Sequence, residues 1–195
     1  YQLGAPGKHL AVNSLAVLLA ARLCGCDMKR AVAAMKDAKP ARGRGARETL
    51  KIDGGVFTLI DEAYNANPTS MRAALALLGQ TKPGEGGRRI AVVGDMLELG
   101  PQAVELHAGL AGDLVEAKTD LLFAAGALSK HLFDSAPEAM RVAWGPRAGE
   151  IEASVVEAIR PGDVVMVKGS NSSRMATVVA ALQRRYGESA SPSEG

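Results

Sequence analysis

Val56-Phe57-Thr58-Leu59-Ile60-Asp61-Glu62-Ala63-Tyr64-Asn65-Ala66-Asn67-Pro68 is the stretch that decides how this chain folds. The run from Val56 to Ile60 is short, apolar and rich in β-formers, which predicts a strand buried on both faces. It breaks into a polar turn whose last residues, Asn67 and Pro68, suit the cap and first position of a helix. Strand, turn and helix in that order make half of a parallel crossover unit.

The alternation repeats downstream. Apolar runs at Ile90 to Val93, Leu121 to Ala125, Met140 to Trp144 and Val164 to Val167 are separated by helical patterns. Those patterns span Pro68 to Leu78, Ala103 to Lys118, Ala148 to Ile159 and Ser173 to Tyr186. The predicted fold class is α/β: a Rossmann-like, open, mostly parallel, doubly wound sheet with helices on both faces. A first strand near Glu48 to Ile52 is expected to pair antiparallel at an edge.

Upstream, Leu15, Leu18, Leu19 and Leu23 recur at helical spacing, Gly25 breaks the run, and Met28 to Met35 resumes it, which predicts a helical hairpin. The apolar stretch from Leu10 to Leu23 is interrupted by Asn13, Ser14 and Arg22 and is too short to span a bilayer, so it reads as a buried helix. Lys39-Pro40-Ala41-Arg42-Gly43-Arg44-Gly45 is basic and rich in glycine, as a linker is. The expected organisation is helices over 1–39, a linker or hinge over 40–46, the sheet domain over 47–187, and a disordered tail over 188–195.

Composition sets outer limits on function. The chain has 195 residues, 47% of them hydrophobic, enough for one ordinary domain and a smaller appendage. Its formal charge of +2 is spread without a basic face, which argues against nucleic acid and membrane partners and for a small molecule or protein. Cys24 and Cys26 are too close along a helix for a disulfide, and reduced thiols suit the cytoplasm. The start, Tyr1-Gln2-Leu3-Gly4, has neither an initiator Met nor a cationic leader, so the chain reads as a fragment and not as a secreted precursor.

In a doubly wound sheet, ligands collect beyond the carboxyl ends of the strands. Three loops there are unusual. Helix capping accounts for Asn67 and Pro68 but not for the acid pair Asp61-Glu62 or for Tyr64. Gly94-Asp95-Met96-Leu97-Glu98-Leu99-Gly100 places two acids between glycines, a pattern that a solvated turn would also show. Lys168-Gly169-Ser170-Asn171-Ser172-Ser173-Arg174 joins cations to small polar residues at a helix start, which suits an oxyanion or carboxylate. Gly7-Lys8-His9 is not a P-loop, and no Gly-x-Gly-x-x-Gly turn follows the first parallel strand. His107 reads as a surface helix residue, and neither a metal-ligand cluster nor a Ser-His-Asp arrangement is legible.

Taken in order, Tyr64-Asn65-Ala66-Asn67-Pro68 with Ser70-Met71, then Gly94-Asp95-Met96-Leu97-Glu98-Leu99-Gly100, then Lys168-Gly169-Ser170, resemble the Mur ligases. The first segment resembles the type within that family that adds D-alanyl-D-alanine. The likeness runs from His9 to about Tyr186. It implies the C-terminal portion of a cytoplasmic, monomeric, ATP-dependent acid–amino-acid ligase that joins D-alanyl-D-alanine to UDP-N-acetylmuramoyl-tripeptide through an acyl phosphate in peptidoglycan synthesis. It also implies that ATP and Mg²⁺ are held mainly by a central domain of which residues 1–39 are the final helices, so that the fragment is inactive alone.

By the same resemblance, His9 and Asn13 lie near the adenine and Arg44 near the phosphates. Asp61, or alternatively Glu62, holds the ribose hydroxyls, and Tyr64, Asn65 and Asn67 line the adjacent wall. Within the family's cleft, Asp95 and Glu98 are assigned the dipeptide's ammonium, and Lys168, Ser170 and Asn171 a carboxylate. No catalytic residue and no metal ligand is assigned to this segment. Two departures bear on these roles: Leu10 follows His9 where the family usually has Asn, and Asn171 stands where it often has Arg, which moves cationic duty to Lys168 or Arg174. The competing readings are a related ligase adding another amino acid and a stand-alone nucleotide-binding module. Leading helices that end in Gly43-Arg44-Gly45 favour a ligase, which needs a hinge to close one domain on another.

Overall fold

Asp53-Gly54 turns the chain between an edge strand, β1 (Ala46–Ile52), and the strand of the opening stretch, β2 (Gly55–Glu62), which pair antiparallel with Ile52 opposite Gly55. Gly54 has φ +87, a left-handed value that glycine adopts without steric cost. Four more strands follow: β3 (Arg89–Gly94), β4 (Leu121–Ala125), β5 (Arg141–Gly145) and β6 (Val164–Lys168), all parallel to β2. The sheet runs β1-β2-β6-β3-β4-β5. The computed structural model describes residues 1–4, 8–38 and 43–187, with only the backbone at Lys8 and His9. The expected tail over 188–195 and residues 40–42 of the expected linker lie outside those residues.

Successive strand residues face opposite sides, so each strand contributes to two cores. Phe57, Leu59, Ile90, Val92, Phe123, Val165 and Val167 pack beneath α7 (Ala148–Ala158) and α8 (Ala176–Tyr186). Ile60, Ala91, Val93, Leu122, Ala124 and Met166 face α3 (Pro68–Gln80) and α5 (Ala111–Glu116). A fully buried side chain such as Phe123 stabilises the fold by roughly 1.5–3 kcal/mol over its exposed state.

The order of strands reverses between β3 and β6. The chain travels outward from β3 through β4 to β5, then returns to lay β6 on the other side of β3. The loops after β3 and β6 therefore part, which opens a crevice at their carboxyl ends.

Several local expectations need correction. The helix expected over Ala103 to Lys118 is two short ones, α4 (Ala103–Ala108) and α5, because the chain turns at Gly109 to bury Leu110. The last helix begins at Ala176, not Ser173, because Arg174 adopts a left-handed φ of +58. An unforeseen helix, α6 (Ser129–Ser135), packs through Leu132 and Phe133 alone among large apolar residues.

The described chain divides into compact units over 1–41 and 42–195. In the first, α1 (Lys8–Leu23) is not the buried helix expected: of its described side chains only Ser14 and Leu18 are buried, while Val12, Leu15, Leu19 and Leu23 are exposed. The helix that packs on it, α2 (Met28–Ala34), has seven residues and is too small to cover it. Asp27 caps α2 by accepting from the Lys29 and Arg30 amides. No described helix is long and apolar enough to cross a membrane, and both cysteines are free and exposed.

At the end of the sheet opposite the crevice, Asp163 ties the two central strands together. Its Oδ1 accepts from the Arg88 amide at 2.9 Å and from Arg88 Nε at 3.2 Å, and its Oδ2 from Arg88 Nη2 at 2.7 Å and the Arg160 amide at 2.8 Å. The Asp163 side chain is fully buried. Asp163→Ala should lower the unfolding free energy by about 3–5 kcal/mol, because it strands a largely buried guanidinium and two amides. Urea denaturation checks this, and a loss under about 1 kcal/mol would contradict it.

Candidate functional site

A cavity of about 600 Å³ opens in the crevice, walled by the loops after β3, β4, β5 and β6. Asp95, Glu150 and Glu152 bring acid to it, and Arg147 and Arg174 bring guanidinium groups. Asp95 is set by the start of α6: the Ser129 amide and hydroxyl both donate to its Oδ1 at 2.7 Å. Oδ2 has no partner among the described residues. Gly126, with φ +117, lies so close that a Cβ there would strike the Asp95 carboxylate.

The loop carrying Asp95 is tied down along its backbone. The Ser170 amide donates to the Asp95 carbonyl at 3.0 Å, and the Leu97 amide donates to Ser170 Oγ at 3.0 Å. The Met96 amide donates to His107 Nε2 at 2.9 Å. Glu98 then takes a left-handed φ of +63, which a non-glycine residue holds only when its surroundings fix it.

A second polar cluster lies one strand away, where β2 ends beside β6. Asp61 is 3% exposed, and both its oxygens are engaged: Oδ2 accepts from the Gly43 amide at 2.9 Å and Oδ1 from the Ala63 amide at 3.1 Å. The Gly45 amide donates to the Asp61 carbonyl and the Tyr64 amide to the Gly43 carbonyl, so residues 43–45 are strapped to the end of β2. Arg44 lies on the Tyr64 ring, 4.4 Å from its centroid. Lys168 is 1% exposed and donates to the Asn65 carbonyl at 2.8 Å and to Glu62 Oε2 at 3.5 Å. Burial pushes the Lys168 ammonium below the usual lysine range, Glu62 opposes that shift, and Arg44 adds to it.

The residues singled out in the sequence thus fall in several places. Arg44, Asp61, Glu62, Tyr64 and Asn65 come together, while Asn67 is occupied as the cap of α3, accepting from the Ser70 amide. The His9 side chain lies outside the described residues, and Asn13 is exposed on α1. Of the five residues assigned to the dipeptide, Asp95 lines the cavity, and Glu98 and Asn171 are exposed on neighbouring loops. Lys168 and Ser170 point into the structure. His107 is not a surface residue; it is 1% exposed. Arg147 and Ser129 were not foreseen, although Arg147 follows β5 directly and the rule that picked the other loops applies to it equally. Among the described residues, no three His, Cys, Asp or Glu side chains gather as a metal site would need.

The family model described as Mur ligase, glutamate ligase domain, matches residues 47–171. The UDP-N-acetylmuramoyl-tripeptide--D-alanyl-D-alanine ligase of Mycobacterium tuberculosis is 32% identical over a match covering 93% of this chain and 39% of that protein. The ligase of the same name from Bacillus subtilis is 31% identical, covering 90% of this chain and 38% of that protein. This chain therefore spans about two-fifths of the length of these relatives. Among solved structures, a crystal structure of MurF from Acinetobacter baumannii superposes with a TM-score of 0.79 at 29% identity, over 93% of this chain and 39% of that one. MurF from Thermotoga maritima in complex with ADP shares the fold, with a TM-score of 0.73 at 22% identity over 92% of this chain and 39% of that one.

Lys168 can be assigned by stability. Lys168→Met removes the cation beside the nearly buried Glu62 and should cost about 3 kcal/mol in a denaturation experiment. A loss below about 1 kcal/mol would mean that the ammonium is a solvated, ligand-facing group.

Proposed function

The chain belongs to the Mur ligase family, and from that premise we propose that it is the C-terminal part of an ATP-dependent ligase joining D-alanyl-D-alanine to UDP-N-acetylmuramoyl-tripeptide. The observation that carries the reading is the charge pattern of the cavity, in which Asp95 shares one wall system with Arg147 and Arg174. A dipeptide zwitterion has an ammonium at one end and a carboxylate at the other, and such a cavity suits both. The match to two dipeptide-adding relatives over nine-tenths of the chain supports the same substrate.

A carboxylate is a poor electrophile; ATP, when bound, supplies the phosphoryl group that converts the tripeptide's carboxylate into an acyl phosphate. The part of this chain is to present the nucleophile. Asp95 Oδ2 takes the dipeptide's amino end in a charge-assisted hydrogen bond, while Ser129 keeps Oδ1 from turning away. Arg147 or Arg174 takes the carboxylate, as a planar guanidinium can with two parallel bonds. With both ends held, the nitrogen faces one direction, which is the contribution of orientation to rate.

Toward the nucleotide, Arg44 is an exposed cation already steadied by Tyr64 and suits the phosphates. Glu62 suits the ribose hydroxyls better than Asp61, whose two oxygens are both taken by backbone amides. Among the described residues no three His, Cys, Asp or Glu side chains gather to hold Mg²⁺.

Steady-state kinetics on the full-length ligase test the assignment. Asp95→Asn loses a charge-assisted bond worth about 1.5–3 kcal/mol, so KM for D-alanyl-D-alanine should rise roughly ten- to hundred-fold, with KM for ATP held within about twofold. A rise in KM for ATP with none for the dipeptide would reverse the roles of the two clusters, given circular dichroism that shows a folded variant.

A further inference from the structure

α4 has six residues, and its one fully buried polar side chain, His107, has no place in the chemistry above. Its two hydrogen bonds fix its protonation. Nδ1 lies 2.6 Å from the Ala103 carbonyl, which can only accept, so Nδ1 carries a hydrogen. Nε2 lies 2.9 Å from the Met96 amide, which can only donate, so Nε2 offers a lone pair. Only the neutral Nδ1–H tautomer makes both bonds. An imidazolium would set two N–H groups against each other between residues that are both buried from solvent.

We propose that His107 is a positioning residue that sets the Asp95–Glu98 loop through the Met96 amide, and that it does so only as the neutral imidazole. The proposal rests on the reading that Asp95 meets the dipeptide's amino end. Three backbone tethers hold this loop, two from Ser170 and one from His107, and of these two residues only His107 has a titratable side chain. Met96 is itself fully buried, so its amide has no access to solvent if the imidazole withdraws. The left-handed Glu98 follows two residues later, where a slack backbone would relax and carry Asp95 with it.

The charges around the ring come from each element packed against α4. Asp95 on the loop favours the imidazolium, His131 on α6 opposes it, Glu98 is exposed, and the turn Gly100–Gln102 has no titratable side chain. Burial outweighs them and holds the imidazole below its ordinary value of about 6.5. Since the folded state resists protonation more than the unfolded state does, the contribution of His107 is complete above about pH 6.5 and is lost as pH falls toward the folded-state value.

NMR on the 195-residue chain and kinetics on the full-length ligase test this together. Two-bond ¹⁵N correlation should show the Nδ1–H tautomer at pH 8, and the Met96 amide should shift in step with His107 as acid is added. In kinetics, KM for D-alanyl-D-alanine should rise only at pH below the ordinary imidazole range, where the lowered His107 takes up its proton, while KM for ATP stays flat. His107→Leu should raise KM for the dipeptide by about tenfold at every pH, because the Met96 amide is left unpaired. His107→Gln, whose amide oxygen can replace Nε2, should keep KM within about threefold of the parent and abolish the acid limb, which a purely structural imidazole would not predict. An Nε2–H tautomer, a Met96 amide blind to His107, or an acid limb that persists in His107→Gln would overturn the proposal. NMR as expected with an unchanged dipeptide KM in His107→Leu would support the positioning role and overturn the reading of the cavity as the dipeptide site.

Discussion

β3 ends on Gly94 and β6 is followed at once by Gly169, and the closeness of those two residues is the constraint on which the working end of the sheet depends. A Cβ on Gly94 would come within 2.5 Å of Met175 Cγ and 2.8 Å of Ser173 Oγ, and one on Gly169 within 3.2 Å of Gly94 Cα. Side chains at either position would push the start of α8 away from the sheet. With glycine at both, Met175 packs under the strand ends and the chain can part on either side of them. The cavity is the space left by that parting, at the point where the strand order reverses.

The strand β6 and its loop divide the polar groups at the mouth of the sheet. Lys168 turns toward β2 and joins Glu62 and the Asn65 carbonyl. Ser170, two residues on, turns toward the other loops, accepting from the Leu97 amide and donating to the Ala66 carbonyl at 3.5 Å. One short segment thereby braces both the loop that suits a nucleotide and the loop that suits a dipeptide. On the proposed reading, the dipeptide's nitrogen attacks an acyl phosphate made with ATP, so the groups that hold nucleotide and dipeptide need a fixed relation, which a shared brace between neighbouring strands provides.

Much of the fold was legible because it depends on local pattern. Continuous apolar runs mark parallel strands, and every run identified in the sequence lies within or beside an observed strand, including the antiparallel edge. The failures share a cause. Ser129 to Ser135 carries too few apolar residues for its period to register, and it is a helix because Asp95 and the sheet hold its start. The break at Gly109 depends on where Leu110 is buried. The polar groups fared worse for the same reason. Position after a strand drew attention to Asp95, but nothing near Lys168 in sequence says that its ammonium is buried, since its partner Glu62 is 106 residues away. His107 looked like a solvated helix residue until its ring was seen to face Met96, and Arg147 gains meaning only beside Arg174 and Asp95.

The central claim is that the crevice beyond β3 and β6 receives a zwitterion between Asp95 and a guanidinium, while the Lys168 ammonium is internal. A crystal structure of the full-length protein with D-alanyl-D-alanine tests it most directly. The account predicts the dipeptide's nitrogen at hydrogen-bond distance from Asp95 Oδ2 and its carboxylate on Arg147 or Arg174, with Lys168 still on Glu62. A dipeptide whose carboxylate is bound by Lys168, with the crevice beside Asp95 left to solvent, would contradict it.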